Sequence, residues 1–493
     1  MTDPSGRAVY LLRPRARLLT LPAFVRRFIT FGVLLATALP ASGGNISTVA
    51  GTGMWGYSGD GLQATSAQLY YPWDVALDSA GNLFIADTRN YRIRRVDHAT
   101  GVISTVAGIT GGGYNGDGIP ATSARLQWPN GVALDSAGNL YISDTWNHLI
   151  RRVDAGSGLI TTVAGSMTAT GGYNGDGILA TSARLNTPGG ITVDGTGNLF
   201  IADTYNHLVR RVDAVSGLIT TVAGSTTATG GYNGDGIPAT ASRLYWPEDV
   251  AFDAGGNLYI GDWGNSRVRR VDAATGRIST VAGRGFWGYD GDGIPATSAE
   301  LNGVGSVVVA RDGILYIGDF FNDRVRRVDP ITGLIDTVAG TGTAGYNGDG
   351  IPASTASCDH PSGLAVDANG NLFIADSWNH RVRRVEGYIR VPPALGRMLL
   401  APNVLETSGP VGIVRIGLRG HPSESVLVRV YSEAGELVRS FSCSLNSVGD
   451  ALVPFDGLDD RGVRLGLGGY WLVASGGGVN DRQSLLVVRK RKR

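Results

Sequence analysis

Short runs of alternating apolar and polar residues recur along most of this chain, four to a unit, separated by glycine, aspartate and asparagine. In the first full unit the runs are Val75–Asp78, Leu83–Ala86, Tyr91–Val96 and Ile103–Ala107. A period of two in short β-branched segments predicts strands, not helices. The segment Asp78-Ser-Ala-Gly81-Asn82 reads as a tight turn with Gly81 at positive φ, and Asp97-His-Ala-Thr-Gly101 as the next turn. Each unit is therefore expected to be a four-stranded antiparallel sheet.

The unit repeats six times, starting at Ile46, Val102, Leu159, Leu218, Arg277 and Leu334, with a spacing of 56 to 59 residues. Every copy opens on Thr-Val-Ala-Gly and carries a Gly-Tyr-x-Gly-Asp-Gly loop and an Ala-Thr-Ser-Ala-like turn. It closes on Asp-x-x-Asn followed by Arg-Arg-Val. Copy 5 departs from the pattern at Val304, Ala310 and Ile314, where a proline, a turn aspartate and a turn asparagine are expected, and this predicts a looser turn or a docking edge. The array begins with a lone fourth strand, Ile46–Ala50, and ends on a third strand, Arg381–Val385. The first strand can fill the slot missing from the last copy, which would close a ring and remove two exposed sheet edges. The expected fold class is all-β: a six-bladed β-propeller closed by this N-terminal strand.

The strings Asp87-Thr-Arg-Asn90, Asp144-Thr-Trp-Asn147 and Asp376-Ser-Trp-Asn379, each leading into an Arg-Arg-Val strand, resemble NHL repeats. The Thr-Val-Ala-Gly and Gly-Asp-Gly segments are similar to the longer bacterial and teneurin-like variety. The resemblance spans residues 46–386 and implies a six-bladed propeller; it implies no reaction. Past a linker at 391–397, alternating strands across 398–489 suit a small sandwich. This part resembles the Ig-like domain of the flagellar hook-cap protein FlgD, with Phe455-Asp456-Gly457 where Trp-Asp-Gly is usual. Similar domains end many secreted bacterial proteins, and attachment or sorting is what that resemblance implies.

Composition agrees with a strand-and-turn chain: 74 glycines and 17% charged residues among 493. A net charge of +1 gives no field to attract nucleic acid. Residues 1–44 combine six arginines, an apolar run from Phe28 to Ala41 and small residues after it, the pattern of an export signal. That run is too short for a membrane span, which needs about 20 residues. The mature chain is thus expected outside the cytoplasm with no transmembrane segment. Residues 490–493 form a basic tail. Cys358 and Cys443 fall in different domains and make no disulfide framework.

Alternation sends the two arginines of each pair, such as Arg94 and Arg95, to opposite faces, and one of them is expected to hold the second-strand aspartate, Asp87. The Gly-Asp-Gly aspartates (Asp60 in copy 1) are expected to cap the turn that follows. Calcium is the one cofactor these loops suggest, but one carboxylate per loop is too few for a tight site. His148, His207 and His380 share one repeat position and cannot converge on a zinc ion.

In a propeller the loops entering the first strand and those between the second and third share one face. That face should carry Tyr71, Trp128 and Trp246 from the first set. From the second it should carry Trp146, Tyr205, Trp263, Phe320, Phe321 and Trp378. Exposed rings there suit a protein or glycan partner. The start of each first strand should line the central channel, where Asp74 and Asp249, with Glu248 beside the latter, come from opposite blades and suggest a polar ligand or cation. A central-channel lyase or lactonase is the competing reading. It would need a convergent His, Asp, Glu and Asn set, which this chain does not show, so binding or scaffolding is expected over catalysis.

Overall fold

The computed structural model describes residues 44–387, apart from 168–169, 228 and 331, and beyond them the strands between 398 and 488. Of the expected export signal 1–44, all but Gly44 lies outside the described residues, as do the expected linker 391–397 and basic tail 490–493. No helix among the described residues is long and apolar enough to cross a membrane.

Residues 44–387 form a six-bladed β-propeller. In the first blade β2 (Pro72–Leu77), β3 (Leu83–Asp87), β4 (Arg92–Val96) and β5 (Ile103–Ala107) pair antiparallel in sequence order. Gly81 takes φ +82°, and Gly81 N–H donates to the Asp78 carbonyl at 3.0 Å. Tyr91, expected at the start of β4, instead sits just before it at φ +58° and ends a short 3-10 turn. The other blades repeat this order. In five of the six sheets the Ile-Pro or Ile-Leu pair after Gly-Asp-Gly adds a two-residue strand to the outer edge. The strand preceding the first blade, β1 (Asn45–Ala50), lies in the sixth sheet, with Ile46 opposite Val385 and Thr48 opposite Arg383.

Apolar residues from facing blades fill the space between sheets. One such layer joins Phe84, Ala86 and Ile93 of the first blade to Leu126, Val132 and Ile142 of the second. Copy 5 keeps the standard turn, contrary to the looser geometry expected: Ala310 N–H still donates to the Ile314 carbonyl at 2.9 Å. Its Asp–Asn network is replaced by burial, with Ile314 1% exposed in a core that includes Tyr316 and Leu364. Cys358 is a free buried thiol in that same core. It stands at the repeat position of Leu69 and Leu126.

The C-terminal strands form a three-stranded sheet built on Val414–Arg419 and a five-stranded sheet built on Ser425–Ser432 and Gly468–Gly476.

Candidate functional site

Alternation does place the paired arginines apart. The Arg94 side chain is 0% exposed and the Arg95 side chain 31%. Arg94 Nη1 meets Asp87 Oδ2 at 3.4 Å, while its Nη2 donates to Asp60 Oδ1 at 2.6 Å and to the Ser58 carbonyl at 3.1 Å. Asp87 also accepts from Tyr70 N–H at 2.7 Å and Asn90 Nδ2 at 2.8 Å. Burial pushes the Asp87 carboxyl up, to about 6, against these donors. Asp60 is thus a buckle and not a cap. The residue preceding the following 3-10 turn, Gln63, makes no side-chain capping bond. Asp60 oxygens are taken by Arg94, Tyr57 and Thr105, the ligands a calcium ion would have to displace. The same arginine bridges two aspartates in all six blades, for example Arg151 with Asp117 and Asp144, and Arg383 with Asp349 and Asp376. These residues pin the Gly-Asp-Gly loop to the blade and so fix the loops above it.

Immediately before the inner strand, the chain turns through a left-handed residue in every blade. Tyr71, Trp128, Thr187, Trp246 and His360 have φ between 46° and 55°, and Gly303 fills the position in blade 5. Five non-glycine side chains take this costly region at one end of the ring, each just before an inner strand. The repeated histidines hold it. Nδ1 of His380 accepts the Tyr71 N–H at 3.2 Å, His148 that of Thr187 at 3.0 Å, and His207 that of Trp246 at 3.2 Å. Asp323 does the same for His360 at 3.0 Å. An accepting Nδ1 requires a neutral ring, and burial lowers the pKa of all three histidines. A depressed pKa means stability that is complete above the unfolded value of about 6.5 and is lost as pH falls through the folded value. Buried aspartates such as Asp87 act in the opposite sense, so the histidine effect is read as a difference. His207→Asn, which keeps an acceptor that does not titrate, should lose less of its melting temperature than wild type between about pH 6.5 and pH 5. Equal losses would show that His207 does not hold Trp246.

All nine aromatic residues expected on the loop face line one cavity of about 670 Å³: Tyr71, Trp128, Trp146, Tyr205, Trp246, Trp263, Phe320, Phe321 and Trp378. Trp73 joins them. The rings contact each other around the rim. Trp128 meets Trp146 edge-on at 5.2 Å between centroids, and Trp263 meets Phe320 at 5.0 Å. In blades 1, 2 and 3 the residue after the second strand is Thr88, Thr145 or Thr204, whose hydroxyl donates to the next blade's proline carbonyl at 2.7–2.9 Å. Blades 4 and 5 give up that clip for Trp263 and Phe320. A stabilising contact is exchanged for an aromatic side chain that lines the cavity.

Of the three acids expected at the channel, only Glu248 lines the cavity. Asp74 and Asp249 serve the neighbouring blades. Asp74 Oδ2 accepts Val132 N–H at 2.9 Å, and Asp249 Oδ2 accepts Val307 N–H and Ser306 Oγ, each at 2.8 Å. Burial and mutual repulsion hold the Asp74 carboxyl well above its usual range. Asp249 is pushed up to about 6, chiefly by burial.

Sequence reasoning missed one cluster: Asp323, Asp359 and His360 bring potential ligand atoms within 4.8 Å of one another. His360 Nδ1 lies 2.7 Å from Asp359 Oδ1, and its ring stacks on Trp378 at 4.3 Å. The cluster therefore braces the aromatic wall. Its only signal in the sequence is that blade 5 carries aspartate where three other blades carry histidine.

Fold and site together define a six-bladed propeller of NHL repeats with an aromatic cavity on its axis. The NHL repeat model matches residues 69–96, 126–152, 244–271 and 359–385, and the Teneurin NHL domain model matches 168–232. NHL repeat-containing protein 2 of Gallus gallus is 28% identical over 64% of this chain and 46% of that protein. Teneurin-1 of Mus musculus is 34% identical over 43% of this chain and 8% of that protein. The chain spans less than half the length of these relatives. Among solved structures, an auxiliary nutrient binding protein from Bacteroides ovatus superposes with a TM-score of 0.51 at 18% identity. That match covers 70% of this chain and 76% of the other.

Proposed function

We propose that this chain is an exported binding protein that captures its partner, a glycan or a protein segment, in the aromatic cavity at the propeller axis, without turning it over. The observation that carries this reading is the convergence of ten aromatic rings from different blades on one cavity, five of them at left-handed positions or in place of a stabilising clip. Exposed tryptophan and tyrosine supply contact area at low entropic cost. Auxiliary nutrient binding proteins of Bacteroides share the fold, which supports binding over catalysis. The 398–488 strands are assigned to attachment or sorting, in keeping with their FlgD-like pattern, and the export-signal pattern of residues 1–44 supports a location outside the cytoplasm.

Glycan and peptide arrays probed with the full chain test this. Retained partners should be lost from Trp128→Ala and Trp246→Ala while the melting temperature stays near wild type, since each ring opens onto the cavity. Partners that survive both changes would place binding elsewhere. Turnover of a lactone or peptide would move the chain to the enzyme reading.

A further inference from the structure

Within six closely similar repeats, one axial position differs almost everywhere. The residue after Pro72 and its counterparts in the other blades is Trp73, Asn130, Gly189, Glu248, Gly305 or Ser362. The position before it is proline or valine, and the position after it is glycine or serine except at Asp74 and Asp249, so divergence is concentrated in the ring that floors the cavity. Trp73 and Glu248 come from blades opposite each other and both line the cavity, where the Trp73 indole acts on the Glu248 carboxyl. The Trp73 ring also packs on Phe320 at 5.5 Å. Indole and carboxyl together close the base of the bowl.

The ionisable side chains at that base are all acids. Glu248 is the only acid in the cavity lining, and no ion pair among the described residues includes it. Asn130 Oδ1 is buried there without a hydrogen-bond partner. Asp249 and Asp74 stand behind the floor, bound to backbone amides. The walls present π faces, whose quadrupole also attracts positive charge. The one cationic lining residue, exposed Arg89, is itself held in this way, with its guanidinium 3.9 Å from the Trp128 ring centroid.

We propose that the axial cavity receives an organic cation, an amine or methylated ammonium group, with its charge against Glu248 and its alkyl groups against the surrounding tryptophans. This rests on the binding reading above and names the chemistry of the ligand, or of the part of the partner that enters the cavity. Neutral sugars match the walls and can donate hydroxyls to the floor, but they bring no charge to set against Glu248.

A consequence is proton coupling. Burial, then the Asp249 charge, pushes the Glu248 carboxyl up, to about 8. At neutral pH the empty site therefore holds a proton on Glu248, and a fixed-charge cation must expel it to solvent. The other charged groups facing Glu248 are Asp249 beside it, Asp74 across the axis and Arg89 at the rim. Affinity for a cation that does not titrate should therefore rise with pH, approaching tenfold per unit below about pH 8 and levelling above it.

The experiment is calorimetry on the full chain with choline, its uncharged isostere 3,3-dimethylbutanol and neutral oligosaccharides, from about pH 6 to pH 9. Choline should bind at least about tenfold more tightly than the isostere, the size expected of a desolvated cation–π site. Glu248→Gln, which keeps an acceptor for Trp73, should weaken choline and flatten its pH dependence. Trp128→Ala should weaken it equally at every pH. Equal affinity for the isostere, or an unchanged pH profile in Glu248→Gln, overturns the cation proposal. Binding of neutral oligosaccharides without choline overturns it and leaves the binding-site reading standing; silence from every probe and array sinks both.

Discussion

Arg94→Met is expected to cost about 3–5 kcal/mol of folding stability, and Arg95→Met less than about 1 kcal/mol. The two arginines are adjacent and chemically identical, so only their surroundings separate them. Removing the Arg94 guanidinium leaves Asp87, 0% exposed, with a charge that no cation offsets. It also frees Asp60 and the Ser58 carbonyl, and with them the loop stapled over the blade. Arg95 only pairs with Asp97 at 3.1 Å in a partly solvated site. Lysine cannot rescue position 94, because a point charge cannot span two carboxylates that a planar fork reaches together. Asp87→Asn added to Arg94→Met should recover part of the loss, since the uncompensated charge is what costs most. Denaturant unfolding of the four variants measures this, and equal costs at 94 and 95 would refute the bridge.

That contrast was legible in the sequence because strand alternation is a local rule. The blade count was legible for the same reason: each copy restates its turns, as in Asp78 to Asn82. Relations between blades were harder. Asp60 was read as a cap because the residues that follow it look like a helix start, whereas its partner Arg94 lies 34 positions on. Asp74 and Asp249 looked like a facing pair, yet each is taken by a backbone amide 58 positions away. Nothing in a strand pattern states which amide of the next blade will be free. The Trp73–Glu248 contact depends on ring size and is invisible to any window of sequence. The candidate site did leave one trace: Trp263 and Phe320, both in the cavity lining, stand where other copies have Thr or Ser.

Deleting residues 45–50 is expected to abolish soluble folding, although they contribute one short strand. Ile46 is 0% exposed and packs with Tyr316, Val325 and Leu364, while Ala50, also 0% exposed, packs with Ala64, Leu69 and Val75. One strand therefore feeds two of the layers between blades. Thr48 Oγ1 donates to Asp349 at 3.1 Å, and Gly350 N–H donates to the Ile46 carbonyl at 2.8 Å. Without β1 the Arg381–Val385 strand becomes an open edge, a template for pairing between molecules. Ile46→Ala gives a graded version. It should cost about 2–5 kcal/mol, as a buried isoleucine does, and match Ile160→Ala, the same position in an outer strand whose blade is continuous in sequence. The loss should appear as a shift of a single unfolding transition, because a ring opened at one seam loses contacts on both sides. An Ile46→Ala variant as stable as wild type would mean that β1 does not hold the sixth blade, and the ring would then have to close by other contacts.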